Sequence, residues 1–181
     1  ILNVGENHQR DLHFFEKLEQ VFQYIFNNTK LSISNSEIFK IFESSKRILL
    51  LLLEKKFLIP DESILSEIFS EKGYKYCIYL YPGIKPYLDQ DQKMNLEEFI
   101  TNTLEESIET FAEKCRIGEN DSYLGTIIRH DSIEEFVSYV NRTNLNTSCH
   151  IAPSLFEGNL FLIDKEPTLI EYAAFFGSIN I

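Results

Sequence analysis

The sequence predicts an all-α protein, and three observations support this prediction. Apolar residues recur at spacings of three and four along most of the chain, which is the period of an amphipathic helix. The 181 residues include only 7 Gly and 5 Pro, whereas an all-β protein needs many tight turns. Several helix starts are indicated by Ser, Thr, Asp or Asn followed three residues later by Glu, the pair that forms a capping box.

The first predicted helix covers residues 9 to 28 and ends at Asn27-Asn28-Thr29. Its apolar residues form one stripe, which we expect to face the core. The stripe consists of Leu12, Phe15, Leu18, Val21, Phe22, Ile25 and Phe26.

The second predicted helix opens with the capping box of Ser34 and Glu37 and stops near Phe57, ahead of Pro60. Its stretch from Ile48 to Leu53 is apolar all round, which predicts the most buried helix of the protein. A membrane span needs about 20 apolar residues, so this short run is expected to be core.

Asp61 is predicted to cap a short third helix that ends at Gly73. Residues 74–88 are ambiguous, because Tyr and apolar residues alternate there as in a strand. No neighbouring segment offers a second strand, so we predict a helix broken at Pro82-Gly83 and a short turn over 84–88.

Residues 89–93 are interpreted as a polar linker, after which Asn95 and Glu98 start another helix. Glutamates off the apolar stripe of that helix form an acidic face. We interpret this face as solvated surface, with a dock for a basic partner as the alternative. Its members are Glu98, Glu105, Glu106, Glu109 and Glu113.

The C-terminal third is predicted to contain three short helices. The first covers residues 122–129, and the second starts at Asp131 with Glu134 as the other half of a capping box. A long connection over 142–166 leads to the third, which is capped by Thr168 with Glu171.

Residues 167–178 resemble the ankyrin-repeat signature T-P-L-H-x-A-A-x-x-G-H. Thr168 matches the capping Thr, and Ile170 takes the buried Leu position. Ala173 and Ala174 match the pair of small residues, and Gly177 matches the glycine of the turn between two helices. The sequence departs from the signature at Leu169 in place of Pro and at Glu171 in place of His.

An internal repeat supports this resemblance. Aligning Asp131-Ser132-Ile133 on Gly177-Ser178-Ile179 gives a period of 46 residues, which is the ankyrin period of about 33 plus an insertion placed in 144–166. On this register Ile127 and Ile128 take the places of the two alanines. The earlier copy is therefore degenerate, as a terminal repeat often is.

Residues 118–145 and 167–181 together are similar to a large family of ankyrin-repeat proteins expanded in parasitic protists, and the similarity covers the whole chain. It implies a helical N-terminal cap running into an ankyrin-type α-solenoid. Residues 1–115 would form the N-terminal helical region. Residues 116–181 would hold a degenerate helix pair, a long insertion and the start of the first well-formed repeat. The implied function is that of a non-catalytic protein–protein interaction scaffold or adaptor.

The resemblance also implies where a protein partner would bind. Phe175 and Phe176 occupy signature positions near the concave face, with packing against the degenerate repeat as the alternative. Asp164, Lys165 and Glu166 would lie at the loop tip presented to partners. If the chain is cut inside a repeat, Tyr172, Ala173 and Phe176 form an exposed apolar patch, and self-association through the C-terminal end is expected.

The bulk charge and the reactive residues exclude several functions. A net charge of −11 opposes binding to nucleic acid or to an anionic membrane.

The odd cysteine number without CxxC spacing predicts neither a disulfide framework nor a zinc site, and reduced thiols fit a cytoplasmic protein. His8 and His13 are five apart and so do not share a helix face. We therefore predict no metal, no cofactor and no catalytic residues.

A second hypothesis comes from a different class of function. The chain would be a helical oligomerisation or assembly module in which the helices from 9 to 57 pair between copies. Its motivation is the apolar circumference of Ile48 to Leu53.

Overall fold

The computed structural model describes residues 12–28, 33–70, 74–146 and 148–181. Within these ranges the chain is helical and forms no β-strand, which confirms the all-α class. The chain divides into two compact units, Ile1–Gly118 and Glu119–Ile181. The predicted helix start at residue 9, the predicted helix ends at Thr29 and Gly73, and His8 lie outside the described residues. No helix in the described ranges is long and apolar enough to cross a bilayer.

The first unit begins with α1 (Leu12–Asn28), α2 (Asn35–Phe42) and α3 (Lys46–Glu54). The predicted capping box at Ser34 is confirmed, since its hydroxyl accepts from the Glu37 amide and the Glu37 carboxylate accepts from the Ser34 amide. The single helix predicted up to Phe57 is wrong, because the chain leaves the α-helical path between α2 and α3. Two serines stand at this break, and serine side chains compete for backbone hydrogen bonds in helix interiors.

Helix α3 is the centre of the first unit, as the apolar run predicts. Its residues Ile48, Leu49 and Leu52 are 0 % exposed. It packs against α5 (Tyr74–Ile84). The approach is close at Gly83, where an added Cβ would lie 2.7 Å from the Cβ of Leu53.

Helix α4 (Glu62–Ser70) starts where Asp61 accepts a hydrogen bond from the Ile64 amide at 3.0 Å, as predicted. The predicted break at Pro82-Gly83 is wrong, because α5 continues to Ile84 and a 3₁₀ turn follows over Lys85–Tyr87. Pro82 lies in the last turn of α5, so few helical residues follow it. A proline at this place therefore shortens the helix very little.

The tyrosines of α5 are core residues with satisfied hydroxyls. The Tyr76 hydroxyl donates to the Glu43 carbonyl at 2.7 Å, and the Tyr79 hydroxyl donates to the Cys115 carbonyl at 2.6 Å. The Tyr81 hydroxyl donates to the Glu97 carboxylate. Buried tyrosines need such partners, so these three bonds fix the position of α5.

The predicted linker over 89–93 is wrong, because α6 (Gln90–Glu98) begins there with a capping box of Asp89 and Gln92. A π-helical turn over Phe99–Thr103 interrupts the helix predicted from Asn95. Helix α7 (Ile108–Ile117) then starts with Ser107 as its N-cap. The predicted acidic face is thereby divided between α6, α7 and the segment between them.

The second unit contains α8 (Tyr123–Arg129), α9 (Ile133–Thr143), α10 (Leu160–Lys165) and α11 (Leu169–Phe176). Helix α8 packs against both α9 and α11. The predicted connection over 142–166 thus includes a helix, α10, whose N-cap is Asn159. One buried cluster of this unit consists of Ile128, Ile151, Leu162, Leu169, Tyr172 and Ala173.

The connection is tied to the start of α11 by an isolated antiparallel bridge between His150 and Thr168. The Ile151 amide donates to the Pro167 carbonyl at 2.9 Å, and the Leu169 amide donates to the Cys149 carbonyl at 3.2 Å. The capping box of Thr168 and Glu171 is confirmed. The capping box predicted at Asp131 is wrong, since α9 starts after Ser132 without a side-chain cap.

Candidate functional site: an apolar groove between α9 and α11

Helix α9 is amphipathic, yet none of its residues is buried. Ile133 is 42 % exposed and Val137 is 49 % exposed. The apolar face of an amphipathic helix normally covers a core. This face is only partly covered, because Phe136 packs against the core of the unit while Ile133 and Val137 stay exposed.

Helix α11 forms the other wall. Its capping box fixes the helix start at Thr168, so Leu169, Tyr172 and Ala173 turn inward and are buried. The prediction that Ile170 is buried is wrong, because its side chain is 71 % exposed. The inner position belongs to Leu169, one residue earlier.

A cavity of about 380 Å³ lies between the two helices. Its alanines and serine occupy little volume, so the space between the larger side chains stays open. We call it the α9–α11 groove. It is lined by Phe136, Leu169, Ile170, Ala173, Ala174, Ser178 and Ile181.

The turns after α8 and α11 are tied together at one end of the groove. Asp131 has a φ of 54° and Gly177 has a φ of 69°, so both stand in the left-handed region where the preceding helix ends. The Asp131 carboxylate accepts from the Asn180 amide at 2.9 Å and from the Asn180 side chain at 2.6 Å. The Ser178 hydroxyl donates to the Ile128 carbonyl. These bonds hold the segment after α11 against the turn that precedes α9.

Beneath the groove wall, a buried cation links α8 to α11. Arg129 forms an ion pair with Glu119 at 3.0 Å and donates to the Asn120 carbonyl at 2.6 Å. It also donates to the Tyr172 hydroxyl at 2.9 Å. Burial raises the pKa of Tyr172 to about 12, so the hydroxyl stays neutral and available as an acceptor.

The second unit, which contains the groove, is acidic. Residues 119–181 contain nine acidic and three basic residues, a formal net charge of −6. Glu134 and Glu135 in the first turn of α9 are exposed, as is Glu171 on α11. Hydrogen bonds from the Thr168 amide and hydroxyl lower the pKa of Glu171, so this carboxylate is ionised near neutral pH.

The residues predicted to bind a partner do not form the groove. Phe175 is 42 % exposed and stacks on Phe161 with ring centroids 6.0 Å apart. Phe176 is half-buried against Tyr172, at 4.7 Å between centroids. The helical spacing from Ile170 places Phe175 on a different side of α11. It is a second exposed apolar site, separate from the groove.

The other predicted binding residues lie around the end of α10. Lys165 and Glu166 are exposed, and the Glu166 carbonyl is hydrogen-bonded to the His150 ring. The side chain of Asp164 lies outside the described part of the structure.

The apolar patch expected at the C-terminal end differs from the prediction. Tyr172 and Ala173 are 1 % and 6 % exposed, because Ile151 and Leu162 of the connection pack in the same core. Exposure falls instead on Ile170. The sequence signal nearest to the groove is the apolar series Ile133, Phe136, Val137 and Val140 of α9, of which Phe136 lines the groove.

The first unit has a second cleft of about 560 Å³, but its cations are already engaged. Lys55 pairs with Glu19 at 2.8 Å, and Arg116 pairs with Glu54 at 2.8 Å. Arg47 donates to the Arg116 carbonyl at 2.7 Å. Its charged groups are therefore satisfied within the unit, unlike the open apolar walls of the α9–α11 groove.

Groups that could carry chemistry are dispersed. The described residues contain no group of three or more His, Cys, Asp or Glu side chains placed to hold a metal ion. Burial raises the pKa of the Cys77 thiol to about 12 and that of Cys115 still further, which suppresses the reactive thiolate form. Buried Glu157 has a pKa raised to about 7 by burial and lines a cavity of about 30 Å³.

Comparison of the chain with protein-family models, with curated proteins and with solved structures finds no match. A functional assignment for the groove therefore depends on its own residues and their contacts.

Proposed function

We propose that this chain is a non-catalytic protein–protein interaction module whose α9–α11 groove receives an apolar helix of a partner protein. The observation that carries the proposal is the groove itself, whose lining residues are apolar or small and include no charged side chain. A helix in the groove would cover its lining residues, among them Ile170, which is 71 % exposed. Burial of apolar area stabilises a complex by roughly 25 cal/mol per Å² before the costs of association.

The shape of the groove favours a helix as its occupant. Both walls are helices, and both pack on α8. Adjacent helices pack with axes about 8–10 Å apart, and small residues on a wall permit this approach. Ala173, Ala174 and Ser178 supply such residues. Helix-in-groove binding is a common mode of peptide recognition.

We further propose that the module is a cytoplasmic scaffold of the ankyrin type, and helix packing in the second unit supports the ankyrin-type arrangement. Helices α8 and α11, the first helices of the two copies in the sequence repeat, pack side by side. Each copy ends its first helix at a residue with left-handed φ, Asp131 or Gly177. In an α-solenoid each repeat contacts its neighbours in this way.

A peptide-binding assay tests the proposed groove. The probe is a set of fluorescent amphipathic helices of about two to four turns with a leucine row and uncharged polar residues elsewhere. Fluorescence anisotropy should detect binding to the chain. We expect Ile170→Asp to weaken binding about tenfold or more, since it places a charge in an apolar contact.

The matched control is Ile59→Asp, which introduces the same charge at an exposed residue of the first unit. It should bind as the unaltered chain does. Equal weakening by both variants, or no binding by any peptide in the set, would contradict the proposal.

The alternative is self-assembly, and one observation supports it. Helix α1 exposes Val21 (45 %) and Tyr24 (68 %). The apolar run of α3 no longer motivates this reading, because Ile48 and Leu49 are buried within the unit. Sedimentation equilibrium distinguishes the cases. If the chain is a monomer, the assembly hypothesis is wrong. If it forms an oligomer that Val21→Asp dissociates, assembly through α1 is supported. If Ile170→Asp dissociates the oligomer instead, the chain self-associates through the groove.

A further inference from the structure

A small cavity lies against the buried side of α11, between that helix and the connection that precedes it. It encloses about 30 Å³, and its lining includes Glu157 and Tyr172. Both side chains are more than nine-tenths buried, since Glu157 is 4 % exposed and Tyr172 is 1 % exposed. Pockets for organic ligands enclose roughly 300 Å³ or more, whereas a water molecule needs about 10–15 Å³. The cavity therefore suits a ligand of the size of water.

Glu157 brings an unused hydrogen-bond acceptor to this cavity. Its Oε1 accepts from the Asn159 amide at 2.9 Å. Burial raises the pKa of the carboxyl and the Asn120 amide lowers it, yet Oε2 has no hydrogen-bond partner among the residues that the structure describes. Buried polar atoms are normally satisfied, either by the protein or by an ordered water molecule. Oε2 is thus an acceptor that still needs a donor.

Tyr172 brings an unused donor to the same cavity. Its hydroxyl oxygen accepts from Nη1 of Arg129 at 2.9 Å. A phenol can donate as well as accept, and in the described part of the chain its hydrogen has no acceptor. Burial and the charge of Glu157 both raise the pKa of Tyr172, so the two groups are neighbours, although no direct hydrogen bond joins them. A donor and an acceptor therefore line one small cavity without meeting.

The charges around the cavity indicate what kind of ligand it holds. The guanidinium of Arg129 and the hydroxyl hydrogen of Tyr172 both repel a cation, and the carboxylate of Glu157 repels an anion. Glu119, whose charge also acts on both groups, pairs with Arg129 at 3.0 Å. A neutral ligand that accepts from the hydroxyl and donates to the carboxylate satisfies both groups. Water does this at the required size.

We propose that this cavity binds one water molecule, which accepts a hydrogen bond from the Tyr172 hydroxyl and donates one to Oε2 of Glu157. The water ties the connection before α11 to the buried side of that helix. It fits either ionisation state of Glu157, because water can also accept from a protonated carboxyl. The site is part of the second unit itself and does not depend on a partner in the α9–α11 groove.

A crystal structure of the full chain tests the site, at a resolution that shows ordered water. We expect one water peak within about 2.5–3.0 Å of both the Tyr172 hydroxyl oxygen and Oε2 of Glu157. An empty cavity, or a direct hydrogen bond between the two side chains, would overturn the inference. A metal ion in the cavity would overturn it as well, and oxygen contacts of about 2.0–2.6 Å would identify such an ion.

Two variants show which groups hold the water. Tyr172→Phe removes the donor, and Glu157→Met removes the acceptor with little change in side-chain length. We expect the occupancy of the water peak to fall at least about twofold in each variant, because a buried water makes only about three hydrogen bonds and each variant takes one away. The matched control is Tyr123→Phe, which removes a hydroxyl from a residue of the same unit that is 56 % exposed. It should keep the water.

The occupancy in the variants distinguishes a bridging water from a water that merely fills space. Full occupancy in Tyr172→Phe or in Glu157→Met would mean that the altered side chain does not hold the water, which overturns the bridge. An equal loss in Tyr123→Phe would overturn it too, because the effect would not be specific to the cavity. If Tyr172→Phe fails to fold, Glu157→Met supplies the same test, and the unaltered chain alone decides whether the water is present.

Discussion

Arg129 donates a hydrogen bond from Nη1 to the Tyr172 hydroxyl at 2.9 Å, which joins the end of α8 to the middle of α11. The same nitrogen donates to the Asn120 carbonyl, and Nε pairs with Glu119. The guanidinium thus holds three segments of the second unit around one buried charge. The position of the inner groove wall depends on this arrangement.

Removing either partner of this bond should destabilise the second unit. We expect Tyr172→Phe to cost about 1 kcal/mol, the value of one buried hydrogen bond. Arg129→Met should cost about 3 kcal/mol, because Glu119 loses its buried partner. Urea unfolding followed by hydrogen exchange of the α8 and α11 amides measures both. The control Tyr24→Phe alters an exposed hydroxyl, and a loss of similar size there would contradict the prediction.

Glu157 should make the second unit less stable as pH rises from about 4.5 to about 7. Burial raises its pKa from 4.5 to about 7, although the Asn159 amide and the charge of Arg129 act in the opposite direction. The folded state therefore holds a proton that the unfolded chain releases above pH 4.5. The stability that this proton provides is complete below pH 4.5 and is lost by about pH 7, at most on the order of 3 kcal/mol.

Urea midpoints between pH 5 and pH 8 test this prediction, with amides of the second unit as probes. Glu157→Gln should remove most of the decline, since its carboxamide keeps the acceptor for the Asn159 amide. Glu166→Gln, at an exposed position, should leave the decline in place. A rise in stability over the same pH window in the unaltered chain would show that the assigned sign is wrong.

Gly177 should tolerate Asn better than Ala. Its φ of 69° lies in the left-handed region, and nothing lies within 4 Å of an added Cβ. The cost of substitution is therefore backbone strain alone, about 1–2 kcal/mol for Ala and less for Asn, which adopts this conformation more readily. Thermal unfolding of the two variants compares these costs. Equal melting temperatures would contradict the strain argument.

Substitution of Gly83 should destabilise the protein for a different reason. Its φ is ordinary, but an added Cβ would meet the Cβ of Leu53 at 2.7 Å. We expect Gly83→Ala to destabilise the first unit by about 1–3 kcal/mol through overpacking between α3 and α5. The combination with Leu53→Ala distinguishes the mechanism. If the clash is the cause, the double variant is more stable than the sum of the two single costs implies.

Sequence reasoning succeeded where the signal is local. The capping boxes of Ser34 and Thr168 place the helix starts correctly, because the side chain and the amide it caps are only three residues apart. The burial of the run from Ile48 to Leu53 is also predicted by a local signal, because a helix that is apolar on all sides is normally buried in the core.

It failed where packing decides between equal local choices. The apolar stripe through residues 34–57 continues across the break before Ser45, so the stripe does not reveal that the helix ends there. No local sequence pattern predicts the π-helical turn after Glu98. The buried position at the start of α11 was predicted one residue too late, because Leu169 and not Ile170 faces the core. In the groove, the stripe of α9 reveals an apolar face but carries no information on whether another helix covers it.

The buried tyrosines of α5 determine part of the intrinsic fluorescence of this protein in solution. The chain has no Trp, so its intrinsic emission comes from tyrosine. Tyr76, Tyr79 and Tyr81 give the first unit three shielded, hydrogen-bonded fluorophores, whereas Tyr172 is a buried one in the second unit. A single Trp introduced at Phe161, beside Phe175, would give the second unit an optical signal of its own.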